Sequence, residues 1–266
     1  MTVESDDLVR VTRDGSVATI WLNRPSKRNA MSYSMWALLE ESALELAVDP
    51  DVRVVVLRGA GAHFCAGADI TEVLVSRAAG ERPFSEVVAA AERALAELPK
   101  PTVAFISGDC IGGGCSIAID CDLRIAAADS RFGITPAKLG IVYPSAALER
   151  ATQLLGPAVT KRMLFTGELV DANGAFRVGL IDEVIDGANG EEHLATLTGV
   201  LAARSLVTQA ATKAMVAEIG AHGQVSHDVQ SHWSNVAATA PDGAEGVAAF
   251  VEKRQPRFTW TGSDGD

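Results

Sequence analysis

Polar and β-branched positions alternate through "LVRVTRDGSVATIWLN" (residues 8–23), broken once by Asp14-Gly15. That pattern predicts two strands joined by a tight hairpin, because glycine supplies the positive φ such a turn needs. From Ser32 the period changes: Met35, Leu38, Leu39, Ala43, Leu46 and Ala47 recur at helical spacing, with Pro50 just past the end. "VRVVVLRG" (52–59) is a continuous apolar run of the kind buried on both faces of a sheet. The order then repeats: a helix near Phe84 to Leu98, the break "PKP", the strand "TVAFISG", and three glycines, Gly112 to Gly114, directly ahead of a further helix. Strands alternating with helices predict an α/β core. After about Asp186, "HLATLTGVLAARS", "VTQAATKAMVAEIG", "VSHDVQSHWSNVAATA" and "PDGAEGVAAFVEK" are four helical patterns with no strand between them. The expected organisation is an α/β core over 1–190 and a C-terminal helical segment over 191–266, with the hinge between 187 and 205.

Composition narrows the classes. At 266 residues and 48% hydrophobic, the chain is long enough to bury a substantial core. The start, "MTVESDDLVRV", is acidic and lacks the apolar stretch of a signal peptide, and no apolar run reaches the length of a membrane span. A soluble, cytoplasmic chain is expected. Cys65, Cys110, Cys115 and Cys121 have no CxxC spacing and sit in apolar or glycine-rich settings, which predicts buried free thiols and no metal site. A formal net charge of −11 argues against nucleic-acid or anionic-membrane partners. Any anion must be held locally, and two compact basic clusters exist for that: Lys27 with Arg28, and Lys253 with Arg254.

Candidate chemistry centres on two glycine turns, "HFCAGADI" (63–70) and "SGDCIGGGCSIAIDCD" (107–122). Both follow buried-type strands, at the strand end where α/β sheets commonly place ligands. Glycines let a substrate approach the main chain, and the helix after the triplet aims unpaired N–H groups and its positive dipole end at the same point. Two N–H groups converging on one oxygen would form an oxyanion hole.

Together "NRPSKRNAMS", "FCAGADI", "IGGGCSIAIDCDLRIA", "FGITPAKLG", "FTGELVDANGAFRVGLIDEVI" and "EGVAAFVEKRQPRF" resemble, in order and spacing, the enoyl-CoA hydratase/isomerase family, or crotonase superfamily, over about residues 8 to 258. The resemblance implies a crotonase-like spiral of ββα units, a C-terminal trimerisation segment, a homotrimer or homohexamer, and a coenzyme A thioester as substrate. It places the hole at the N–H groups of Ala68 and Gly113, phosphate contact at Lys27 and Arg28, and contact with a neighbouring subunit's CoA at Phe250 and Lys253. Ala66 and Ile70 would line the adenine side.

The pattern also breaks. The two glutamates that hydratases of this family use match Ser116 and Pro136 here, and neither side chain is a general base near neutral pH. An oxyanion hole still stabilises an enolate, formed by loss of a proton or of carbon dioxide. The stretch "FGITPAKLGIVYP" (132–144) resembles methylmalonyl-CoA decarboxylase, which would let Tyr143 orient a departing carboxylate, although that enzyme has histidine at the position of Ala68 and glutamate at that of Ser116. Glu149, Glu72, Glu81 and Glu86 are further candidate bases; Asp69 reads as a helix cap, and Asp120 and Asp122 as helix-end or turn residues. Three readings stay open: an acyl-CoA enzyme working through an enolate, a malonyl-type decarboxylase, and a non-catalytic acyl-CoA binding protein.

Overall fold

In the computed structural model, which describes residues 7–73, 80–186 and 189–262, the chain opens with the expected hairpin. Strands β1 (Val9–Asp14) and β2 (Val17–Leu22) pair antiparallel from Val9↔Leu22 to Asp14↔Val17, and Gly15 takes φ +56° at the turn. Helix α1 (Tyr33–Val48) is capped by Ser32, whose hydroxyl accepts from the Met35 N–H at 3.2 Å. There follow β3 (Val54–Gly59), α2 (Ile70–Val73), α3 (Phe84–Ala96), β4 (Thr102–Ile106), β5 (Asp109–Ile111), α4 (Gly113–Asp120), β6 (Leu123–Ala127), β7 (Arg131–Gly133), α5 (Ser145–Thr166), β8 (Val170–Asp171), α6 (Ala172–Arg177) and β9 (Glu183–Ile185). Four helices close the described chain: α7 (Gly190–Ala202), α8 (Leu206–His222), α9 (His227–Thr239) and α10 (Asp242–Glu252).

The main sheet runs β1-β2-β3-β4-β6-β9, parallel from β2 onward. Its apolar central strands serve two cores, as a strand covered on both faces must. Val55, Leu57, Ala104, Ile106 and Ala126 point into the larger core with α1 and α3, whereas Val54, Val56, Val103, Phe105 and Ile125 point the other way and pack with Leu194 of α7. A second sheet, β5-β7-β8, was not foreseen; strands of two or three residues are too short to show a period.

One expectation at the glycine triplet needs adjustment. Helix α4 begins at Gly113, so Gly113 and Gly114 lie inside its first turn and only Gly112 precedes it. Close packing explains the composition: a Cβ at Gly114 would fall 2.4 Å from the Cys65 carbonyl oxygen. All four cysteines are buried free thiols, and among the described residues no helix is long and apolar enough to cross a membrane.

Candidate active site

The two glycine turns meet backbone to backbone. Cys65 and Cys110 form an isolated parallel bridge and Met31 and Ala68 another; the first holds the loop after β3 against β5, the second against the segment before α1. The second bridge uses the Gly67 carbonyl and the Asp69 N–H, which leaves the Ala68 N–H out of the pairing. Gly113 stands at the first position of α4, where the N–H has no intrahelical acceptor. Among the described residues neither N–H donates a hydrogen bond. The two groups are neighbours: a Cβ added at Gly113 would lie 3.3 Å from the Ala68 nitrogen.

Both face a cavity of about 340 Å³, also lined by Trp36, Ala66, Ile70, Val88, Glu92, Ser116, Leu139 and Tyr143. The structure therefore brings Ala66, Ala68, Ile70, Gly113, Ser116 and Tyr143 together around one apolar pocket. It does not bring Lys27, Arg28, Phe250 or Lys253 to that pocket's wall. Lys27 is exposed, Phe250 is 86% exposed on α10, and Lys253 ends that helix. Arg28 lies 3.4 Å from Asp109, which also accepts from Arg131 at 2.6 and 3.0 Å, and the Asp109 N–H donates to Nδ1 of His63 at 3.1 Å.

Of the acids singled out in the sequence, none lines the pocket. Glu149, Glu81 and Glu86 are exposed, and Glu72 accepts the Tyr33 N–H at 2.8 Å. Asp69 does cap α2, accepting the Thr71 N–H at 3.1 Å and pairing with Arg24 at 2.7 Å. Asp122 accepts from the Thr102 N–H and hydroxyl and pairs with Lys213 at 2.8 Å. Asp120 ends a helix as expected, but its side chain is buried rather than turned to solvent.

The acid that reaches the pocket is Glu92, 2% exposed on α3. Phe84, Val88 and Glu92 fall at four-residue steps on the pocket side of α3, while Val87, Ala91 and Leu95 fill the core side. On α4, Gly113, Ser116 and Asp120 occupy one face by the same periodicity. Arg150 of α5 closes the group: Nη1 is 3.0 Å from Asp120 Oδ1 and 3.9 Å from Glu92 Oε2. The Asp120 contact is an ion pair outside hydrogen-bond geometry, so both Asp120 oxygens and Arg150 Nη1 make no hydrogen bond, nor do Glu92 Oε2, the Tyr143 hydroxyl and Trp36 Nε1. Ser116 donates to the Gly113 carbonyl at 2.9 Å.

Burial pushes the Glu92 carboxyl up from its ordinary value, and the Ser116 hydroxyl and the Arg150 charge pull it part of the way back. Burial pushes Asp120 up further, helped by the Glu92 charge and opposed by Arg150. The Tyr143 phenol is raised mainly by burial as well; Ser116 lies beside it without a hydrogen bond of normal geometry. Two carboxyls facing one guanidinium inside the protein cannot both ionise freely.

A profile described as enoyl-CoA hydratase/isomerase matches residues 12–261. Among curated proteins, the short-chain-enoyl-CoA hydratase of Clostridium acetobutylicum is 30% identical over 93% of this chain and 95% of its own length. The crotonyl-CoA hydratase of Syntrophomonas wolfei is 28% identical over 92% and 95%. Among solved structures, an enoyl-CoA hydratase/carnithine racemase from Magnetospirillum magneticum superposes with a TM-score of 0.89 at 32% identity, covering 96% of each chain.

Proposed function

The chain belongs to the enoyl-CoA hydratase/isomerase family, and from that premise we propose that it acts on acyl-CoA thioesters by stabilising an enolate with the N–H groups of Ala68 and Gly113. The observation that carries this reading is the meeting of two uncommitted N–H groups at an apolar cavity. A thioester oxygen accepting from both would gain negative charge as the enolate forms. Such donors are each worth about 3–4 kcal/mol in the transition state, because they are fixed before reaction and act where water is scarce.

Lys27 and Arg28 are the candidate partners of the CoA phosphates. Phe250 and Lys253 would reach the cofactor of a neighbouring copy in a homotrimer or homohexamer. Val247, Phe250 and Val251 form an exposed apolar row on α10, 68%, 86% and 73% exposed, which supports burial against another copy. On this reading residues 1–190 carry the catalytic core and 191–266 the assembly segment.

Decarboxylation of a malonyl-type thioester is disfavoured by Glu92. A carboxylate beside the departing carboxylate would place like charges together in a buried site. A pure binding role is separated by turnover. Incubating the purified protein in heavy water with enoyl-, acyl- and malonyl-type CoA thioesters, followed by mass spectrometry, should show conversion or deuterium uptake. Thioesters that bind yet emerge unchanged would refute the enzyme reading.

A further inference from the structure

The family's two glutamate positions are Ser116 and Pro136 here, yet the pocket does hold an acid. We infer that Glu92, from α3, is the acid–base residue of this site, positioned by Arg150 and Asp120, and that it moves a proton along the acyl chain of a 3-enoyl thioester rather than adding water. The inference rests on the acyl-CoA reading above.

Four observations on geometry support it. Glu92 is the one carboxylate lining the cavity among the described residues, and residues 74–79, outside them, contain neither Asp nor Glu. It is 2% exposed, and its Oε2 makes no hydrogen bond and has the Arg150 Nη1 at 3.9 Å, so one oxygen of a side chain that costs free energy to bury is left without a hydrogen-bond donor. It stands across from Ser116, whose backbone shares the first turns of α4 with the Gly113 donor. Lastly, Arg150 reaches the carboxyls of both Glu92 and Asp120, and neither Arg150 nor Asp120 lines the cavity.

The reaction class follows from the count. Water addition across a double bond calls for one group to take a proton from water while a proton reaches the neighbouring carbon, and the family pattern uses two glutamates for it. A 1,3-proton shift needs one group used twice. The Glu92 carboxylate takes the proton from the carbon next to the thioester carbonyl; that C–H bond breaks and its electron pair passes into the dienolate, whose oxygen the Ala68 and Gly113 N–H groups hold. The neutral Glu92 acid then returns the proton to the γ-carbon. A new C–H bond forms there, the double bond comes into conjugation with the thioester, and Glu92 is again a carboxylate. Atoms and electrons balance without a co-reactant.

Arg150 and Asp120 do not line the cavity and act through Glu92. The groups facing Glu92 are Ser116 and Asp120 from α4, Arg150 from α5, and Tyr143 from the loop before it. Arg150 favours the ionised form of both carboxyls, so its removal must raise the pH at which the base becomes available, whichever carboxyl holds the shared proton.

The test compares full-length wild type, Glu92→Gln, Arg150→Gln and Arg150→Lys on 3-enoyl-CoA and 2-enoyl-CoA of equal chain length. Wild type should interconvert the two isomers faster than it hydrates the 2-enoyl form. Glu92→Gln should lower isomerisation by about 10²–10⁴-fold with thioester affinity kept; burial already favours a neutral group there, so the variant should fold. Arg150→Gln should move the acid limb of kcat/KM to higher pH, and Arg150→Lys should restore it. Isomerisation that survives Glu92→Gln, or an acid limb unmoved in Arg150→Gln, overturns the assignment of Glu92 alone. Hydration that dominates in wild type overturns the reaction class. If wild type binds both thioesters and changes neither, the acyl-CoA enzyme reading falls and takes this inference with it.

Discussion

Two buried aspartates flank the glycine turn, and their surroundings differ. Asp109, at the start of β5, has a 5% exposed side chain that accepts two hydrogen bonds from Arg131 and a longer one from Arg28. Asp120, at the end of α4, has a 1% exposed side chain with neither oxygen hydrogen-bonded, one guanidinium shared with Glu92, and a carboxyl held above its ordinary range. The first arrangement satisfies a charge and fixes the strand that leads into Gly112. The second leaves charge poised beside a cavity, which is how perturbed groups cluster at functional sites. Burial is alike at the two aspartates; the completeness of the hydrogen bonding is what separates them.

The largest effect should come from breaking the satisfied cluster. Asp109→Ala removes charge-assisted hydrogen bonds and should destabilise the protein by about 2–3 kcal/mol, read from the urea midpoint; a loss below about 0.5 kcal/mol would erase the distinction. Asp120→Asn should cost under about 1 kcal/mol at neutral pH, because it removes a carboxyl that burial disfavours in its charged form. The sign of its pH dependence follows. A carboxyl raised above its unfolded value contributes stability that is fully present below the unfolded value, about 3.9, and is lost as pH rises through the folded one. Asp120→Asn should therefore gain on wild type as pH is raised from 4 to 8, and urea midpoints that keep a constant gap over that range would contradict it. The smallest effect concerns the surface. Lys27→Ala should raise KM for a CoA thioester about two- to fivefold at low salt and less at high salt. Arg28→Ala should raise it less, since Asp109 already engages that charge.

Much of the fold was legible because its elements are long and periodic. The hairpin at Asp14-Gly15, the cap at Ser32, the two-faced strands β3 and β4 and the four C-terminal helices all follow from local pattern. The meeting of Ala68 with Gly113 followed from two glycine turns and a resemblance, which together fixed where uncommitted N–H groups would lie. Glu92 did not stand out, because within "VVAAAERALAEL" it reads as one charged position beside Arg93. A signal was present all the same: Phe84, Val88 and Glu92 share a helical face, and Asp120 shares the face of Gly113 and Ser116. Arg150 had no such signal, since only tertiary packing brings α5 to the space between α3 and α4.

The most direct test of the account is the carbonyl stretch of a bound thioester. The infrared difference spectrum of an acyl-CoA carrying ¹³C at the thioester carbon should show that band moved to lower frequency than in water, as two fixed donors polarise the C=O bond. The shift should shrink in Gly113→Pro, which removes one N–H at the first position of α4 and sets a Cβ 3.3 Å from the Ala68 nitrogen. A band at its aqueous frequency in the wild-type complex would mean that the thioester oxygen is not held by Ala68 and Gly113, and the proposed function would fall with it.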